Sequence, residues 1–330
     1  MKSPLGRFAI AGTVLTLLLA GALLPVVSDG QGAVQVRNAL ALEGTATSFG
    51  WRPAEKPVWF VEEDDSTPIF FQDVVSTHFS NVEDDDALAK ALAISRHLHP
   101  RGKASGGMIA AETEDTYNEI MRNGKGYCAD FTQVFNALAY ALNLPVREWG
   151  MSFDEFSGDG HAFNEVFSST YDKWIFIDSF NGFYVTDSQA VPLSFEEFRQ
   201  QLLASDDEFQ IVKVDPRAFG FASEEMAADY YRRAAPRVFL WDRNDIFSYE
   251  SNPLIAGLAK VSRAAEQAVG IFLGIHPGLI VHATALDNSA FAELRRIKWL
   301  AYGLFWSGLI TGLSYGVLLF FTFGRRRTRQ

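Results

Sequence analysis

Three residues in this chain have the types and spacing to do covalent chemistry together: Cys128, His161 and Asp178. The thiolate is the reactive form of cysteine, and a helix N-terminus or a neighbouring imidazole favours it. Cys128 is the single cysteine of the chain and stands at the first turn of the segment Tyr127 to Leu142. Phe131, Val134, Phe135, Leu138 and Leu142 in that segment follow the spacing of a helix with one buried face, and Asn143 and Pro145 close it. Gly126, just before, permits an unusual backbone angle and the close approach of a substrate. Local sequence leaves two readings open, because a lone cysteine at a helix start is also a common small buried hydrophobe.

Downstream the hydrophobic period changes to two. The segments 146–153, 161–167 and 174–178 are rich in aromatic and branched residues and are separated by turn-forming Gly, Asp and Ser. On one face of the middle strand lie His161, Phe163, Glu165 and Phe167, and on one face of the next lie Trp174, Phe176 and Asp178. A hairpin that pairs Phe167 with Asp172 around the loop from Ser168 to Tyr171 sets His161 opposite Asp178. There the carboxylate can fix the imidazole tautomer and favour its protonated form. The start of the nucleophile helix is then expected to pack against that same face, with the thiol meeting the ring nitrogen that Asp178 does not hold. Helix followed by antiparallel strands makes the expected fold class α+β.

Gly-Tyr-Cys-Ala-Asp-Phe (126–131), ahead of an apolar helix ending in Asn-Leu-Pro-Val-Arg (143–147), resembles the nucleophile segment of the transglutaminase-like superfamily. His-Ala-Phe-Asn-Glu-Val-Phe (161–167) is similar to its histidine motif, and Lys-Trp-Ile-Phe-Ile-Asp (173–178) to its aspartate motif, in the same order. The resemblance implies a papain-like arrangement, with Cys128 as nucleophile, His161 as general base and acid and Asp178 as orienter. It also implies thioester-mediated acyl transfer, either hydrolysis or amine transfer, on a protein or peptide substrate, without cofactor or metal. Phe163 stands where the family usually has Trp, and Ser179 follows the Asp where Pro is common. Neither change removes a group the mechanism requires. Beyond the Cys128 backbone N–H, no oxyanion donor is assigned, and Glu165 is expected to make a structural strand contact. The alternative is a catalytically inactive scaffold of an envelope or polysaccharide-export assembly, which would have no reason to keep the three groups together.

The elements that must position these groups occupy the middle of the chain. Residues 28–84 show no sustained period and are expected to form an irregular lead-in, and 85–190 a transglutaminase-like core. Residues 191–298 form a mixed extension. Asp84, Asp85 and Asp86 precede an apolar helical pattern and suit a helix N-terminus better than a calcium loop. A Ser/Gly/Ala-rich loop over 105–112 leads to a helix from about Asp115 to Arg122, broken by Gly124 and Gly126.

Both ends of the chain are apolar. Phe8 to Val27 and Trp299 to Gly324 are uncharged and long enough to cross a bilayer, which makes residues 1–27 a signal-anchor and 299–324 a second span before the basic tail 325–330. The first apolar core exceeds the usual signal-peptide length, and no small-x-small site precedes Ser28, so an anchor is expected rather than a cleaved leader. Lys2, Arg7 and the terminal arginines place both ends in the cytoplasm and residues 28–298 outside, in the periplasm of a bacterial inner membrane. Arg295, Arg296 and Lys298 sit on the external side of that scheme, and a third span over Ala268 to Leu286 would remove the conflict. His276, Pro277 and His282 within it count against that. A net charge of −11 excludes a phosphate-binding surface and with it nucleic acid as a partner.

Overall fold

A computed structural model describes residues 4–28, 32–64, 66–82, 86–107, 109, 111–204, 208–285 and 288–327. Its strands are β1 (Leu42–Ala46), β2 (Val61–Glu62), β3 (Val146–Ser152), β4 (Gly160–Ser168), β5 (Lys173–Asp178), β6 (Phe183–Thr186), β7 (Gln210–Lys213), β8 (Val238–Trp241), β9 (Arg243–Asn244) and β10 (Leu279–His282). Its α-helices are α1 (Pro4–Val27), α2 (Gly32–Leu40), α3 (Ile69–His78), α4 (Ala87–His97), α5 (Thr113–Asn123), α6 (Cys128–Ala141), α7 (Phe195–Ala204), α8 (Glu224–Ala234), α9 (Ile246–Ser251), α10 (Pro253–Ala259), α11 (Arg263–Phe272) and α12 (Asn288–Arg327).

Eight strands form one sheet in the order β1-β10-β8-β3-β4-β5-β6-β7, and the pairs from β10–β8 through β6–β7 are antiparallel. This is the expected α+β class. Alternation along the strands divides the core in two. Val146, Val166, Ile175 and Ile177 face α6 through Phe131, Val134, Phe135 and Leu138, with α3, α4 and α5 behind. On the other face, Trp149, Met151, Phe163, Phe176 and Phe183 meet Phe195 and Phe198 of α7 and Tyr231 of α8.

The lead-in is more ordered than its composition suggests. Within residues 31–80 the chain forms α2, β1 and α3. These are short elements whose apolar residues bury against distant partners: Phe71 and Val74 of α3 join the α6 core, and Phe49 and Phe60 the opposite one. Such pairing leaves no long local period to read. Asp86 caps α4 by accepting from the Ala89 N–H at 2.9 Å, whereas Asp84 and Asp85 lie outside the described residues.

The described residues fall into two compact units, one formed by 4–28, 32–42, 155–158 and 288–327 and the other by the rest. Within the first unit α1 and α12 pair. Thr13 Oγ1 lies 3.2 Å from Tyr315 Oη, and Thr16 Oγ1 donates to Ser307 Oγ at 3.1 Å. Both helices are long and apolar enough to cross a membrane. Two of the basic residues at the start of α12 have local partners: Arg296 pairs with Glu293, and Lys298 donates to the Leu42 carbonyl. Ala268 to Leu286 is divided between the end of α11 and β10, so the third-span reading has no continuous helix behind it.

Candidate active site

Cys128 is the first residue of α6, with Tyr127 in extended conformation before it. Asp130 holds this turn, its Oδ2 accepting from the Tyr127 N–H at 2.8 Å. Gly126 has φ +133, and a Cβ there would press on the Phe131 ring at 3.0 Å, so both backbone angle and space call for glycine. Gly126 also forms a bridge with Gly106, which ties the nucleophile turn to the Ser/Gly-rich loop. Cys128 is partly exposed, whereas His161 and Asp178 are buried.

His161, near the start of β4, points its Nε2 at Asp178 Oδ2, 2.9 Å away. Cys128 is near enough to the same ring to act on its charge. With Nε2 taken, Nδ1 is the nitrogen left for the thiol. Burial by itself would lower the His161 pKa, but Asp178, and after it Cys128, outweigh burial and raise it from 6.5 to about 10. Asp178 is held below the ordinary carboxylate range, since His161 and Asn181 more than offset its own burial. The arrangement can hold a thiolate beside an imidazolium, attack a carbonyl carbon with the sulfur and return a proton through the ring.

The three residues come together by a route that differs from the expected one in two respects. Ser168 pairs with Lys173 and Phe167 with Trp174, so the hairpin register is shifted by two residues and Asp178 falls opposite Phe163. The turn closes one residue later because Asp172 adopts a left-handed conformation (φ 52), which Asp tolerates. A shift of two keeps Asp178 on the His161 face, and the pair meets diagonally instead of directly. Helix α6 also packs on the other face of the sheet, where its apolar stripe finds Val166 and Ile177. His161 is the second residue of β4 and Asp178 the last of β5, so the pair lies at the strand ends.

Sequence reasoning missed two groups. Tyr231 Oη of α8 donates to Asp178 Oδ2 at 2.7 Å, and Asn181 Nδ2 donates to the same oxygen at 2.7 Å. The N–H groups of Phe180 and Asn181 donate to Oδ1 at 3.1 and 2.9 Å. Asn181 lies in the turn after β5, where a polar residue just past the Asp was a weak available signal; Tyr231 carried none. Residues 76–179 match the transglutaminase-like superfamily model. The matched segment contains Cys128, His161 and Asp178 but ends before Asn181 and Tyr231. No curated protein and no solved structure matches the chain.

Around this core the two departures from the usual motif have partners. Ser179 Oγ donates to Asn164 Oδ1 at 2.8 Å, and Asn164 Nδ2 in turn donates to Asn136 Oδ1 at 2.8 Å. Asn136 continues the chain to Glu148 Oε2 at 3.1 Å. A hydroxyl after Asp178 thus anchors the end of β5 to α6 through the sheet, a role proline could not take. Phe163 packs against Phe176 and Phe195 with ring centroids 5.1 and 4.4 Å apart. Glu165 is the structural contact expected, pairing with the cross-strand Arg147 at 2.6 Å.

Among the described residues no group of three or more His, Cys, Asp or Glu side chains is placed to hold a metal ion.

Proposed function

We propose that this chain is a membrane-anchored cysteine enzyme that hydrolyses amide bonds of a protein or peptide through a thioester on Cys128. The observation that carries the reading is the buried His161 ring, bound at Nε2 by Asp178 and flanked by the only thiol in the chain. The Cys128 sulfur attacks the carbonyl carbon, and the C–N bond breaks as the His161 imidazolium gives its proton to the departing amine. Water then adds to the thioester with His161 as base, releasing the acid and restoring the thiol. The backbone N–H of Cys128, at a helix N-terminus, faces the developing oxyanion.

The two apolar helices support anchoring, and the basic residues at both chain ends support cytoplasmic termini with the catalytic core in a bacterial periplasm. Because Cys128 is the single cysteine, one experiment addresses place and another chemistry. A maleimide that cannot cross the inner membrane is expected to label Cys128 in cells whose outer membrane has been opened; labelling only after full lysis would reverse the orientation. Comparing envelope proteomes of wild type and Cys128→Ala for peptide termini and deamidated side chains should reveal products that depend on the thiol. Identical termini and amide content in the two strains would contradict amide hydrolysis.

A further inference from the structure

Asp178 receives more donors than an orienting carboxylate needs. Its Oδ2 accepts from His161, Asn181 and Tyr231 at 2.9, 2.7 and 2.7 Å, and its Oδ1 from two backbone N–H groups. Three of these donors, the Phe180 and Asn181 N–H groups and Asn181 Nδ2, hold the carboxylate in place through the turn that follows β5. The phenol of Tyr231 comes from a different element, α8, on the far side of the matched segment. Tyr231 is fully buried, and its ring packs edge-on to His161 at 5.9 Å.

We infer that Tyr231 is a positioning residue that tempers Asp178, so that the His161 imidazolium remains acidic enough to give up its proton to the leaving amine. The inference rests on the catalytic reading of the Cys128, His161 and Asp178 constellation. A carboxylate that shares its charge with a phenol pulls less strongly on the imidazolium. The hydrogen bond is strongest when the ring is neutral and the carboxylate uncompensated, so it favours the state in which the proton has left. Without it, proton release from His161 is harder and amine expulsion slows. The charged and titratable groups around the ring are Cys128 from α6, Asp178 from β5 and Tyr230 and Tyr231 from α8, with Asp159 and Arg233 acting on Tyr230. Burial and the Asp178 charge raise the pKa of Tyr231 well above its ordinary value, so the phenol remains a donor throughout the working range.

The test follows the ring itself. In full-length protein in detergent, with ring nitrogens labelled in histidine only, the His161 signals identified by loss in His161→Gln are titrated by NMR. Tyr231→Phe keeps the ring and removes one oxygen, and the His161 midpoint is expected to rise by about one pH unit. Amine release from an amide substrate should fall about tenfold, with acylation by an activated ester little changed. Placing 3-fluorotyrosine at position 231 keeps the hydroxyl, makes it a stronger donor and should move the midpoint the other way, which keeps the test open if Tyr231→Phe folds poorly. A midpoint that neither substitution moves, in protein whose wild-type ring titrates far above 6.5, would overturn the role of Tyr231 and leave the catalytic reading standing. A wild-type ring that titrates near 6.5 would overturn both.

Discussion

Asp178→Asn is expected to lower amide turnover by about 10³–10⁴-fold while leaving the fold intact. The substitution is isosteric, but it removes the charge that raises the His161 pKa and replaces one oxygen with an N–H₂ group. Asp178 Oδ2 now accepts from three donors. An amide at this position can satisfy at most part of that set, so the ring loses either its tautomer or its orientation. Acylation and deacylation both need a proton moved at His161, and both should slow. The measurement is amide turnover alongside a thermal unfolding curve. A variant that unfolds as the wild type does and retains more than a tenth of its turnover would contradict the role of Asp178.

The second large effect is on stability. Arg147→Met should destabilise the catalytic core by about 3–5 kcal/mol, because it leaves the Glu165 carboxylate buried without its counter-charge. Arg147 and Glu165 are both almost inaccessible, paired across β3 and β4 at 2.6 Å. Arg147 also donates through Nη1 to the Phe49 carbonyl at 2.5 Å and lies over the Trp174 ring at 4.1 Å. Glu165 retains donors from Trp149 and the Phe195 N–H, which orient it without neutralising it. Adding Glu165→Leu to Arg147→Met removes the orphaned charge and is expected to recover most of the loss. Denaturant midpoints for the two single variants and the double variant give the coupling. Additive losses would show that the pair acts as two independent packing residues.

How much of this was legible beforehand depends on the range of the interaction concerned. The nucleophile helix, its start at Cys128 and the shared face of His161 and Asp178 follow from local period and alternation, and the structure keeps all three. The hairpin register does not follow, because one residue in a left-handed turn conformation, Asp172, decides where pairing begins. Face parity survived that shift because it was even. The side of the sheet on which α6 packs was misread for a related reason. Its apolar stripe is compatible with either face, and only the competing aromatic set of α7 and α8, which fills the His161 side, excludes it from that face. Tyr231 lay beyond reach altogether: it touches Asp178 across 53 positions of sequence, and nothing local distinguishes it from the adjacent Tyr230.

The central claim is that Cys128 is held as a nucleophile by His161, and the rate of its alkylation against pH tests this most directly. With a single cysteine in the chain, iodoacetamide uptake by the folded full-length protein in detergent reports on Cys128 alone. The wild type is expected to react readily at neutral pH, because the neighbouring imidazolium favours the reactive thiolate. His161→Gln should remove that neutral-pH reactivity. A wild type that is unreactive at neutral pH, or a reactivity that His161→Gln leaves unchanged, would contradict the account.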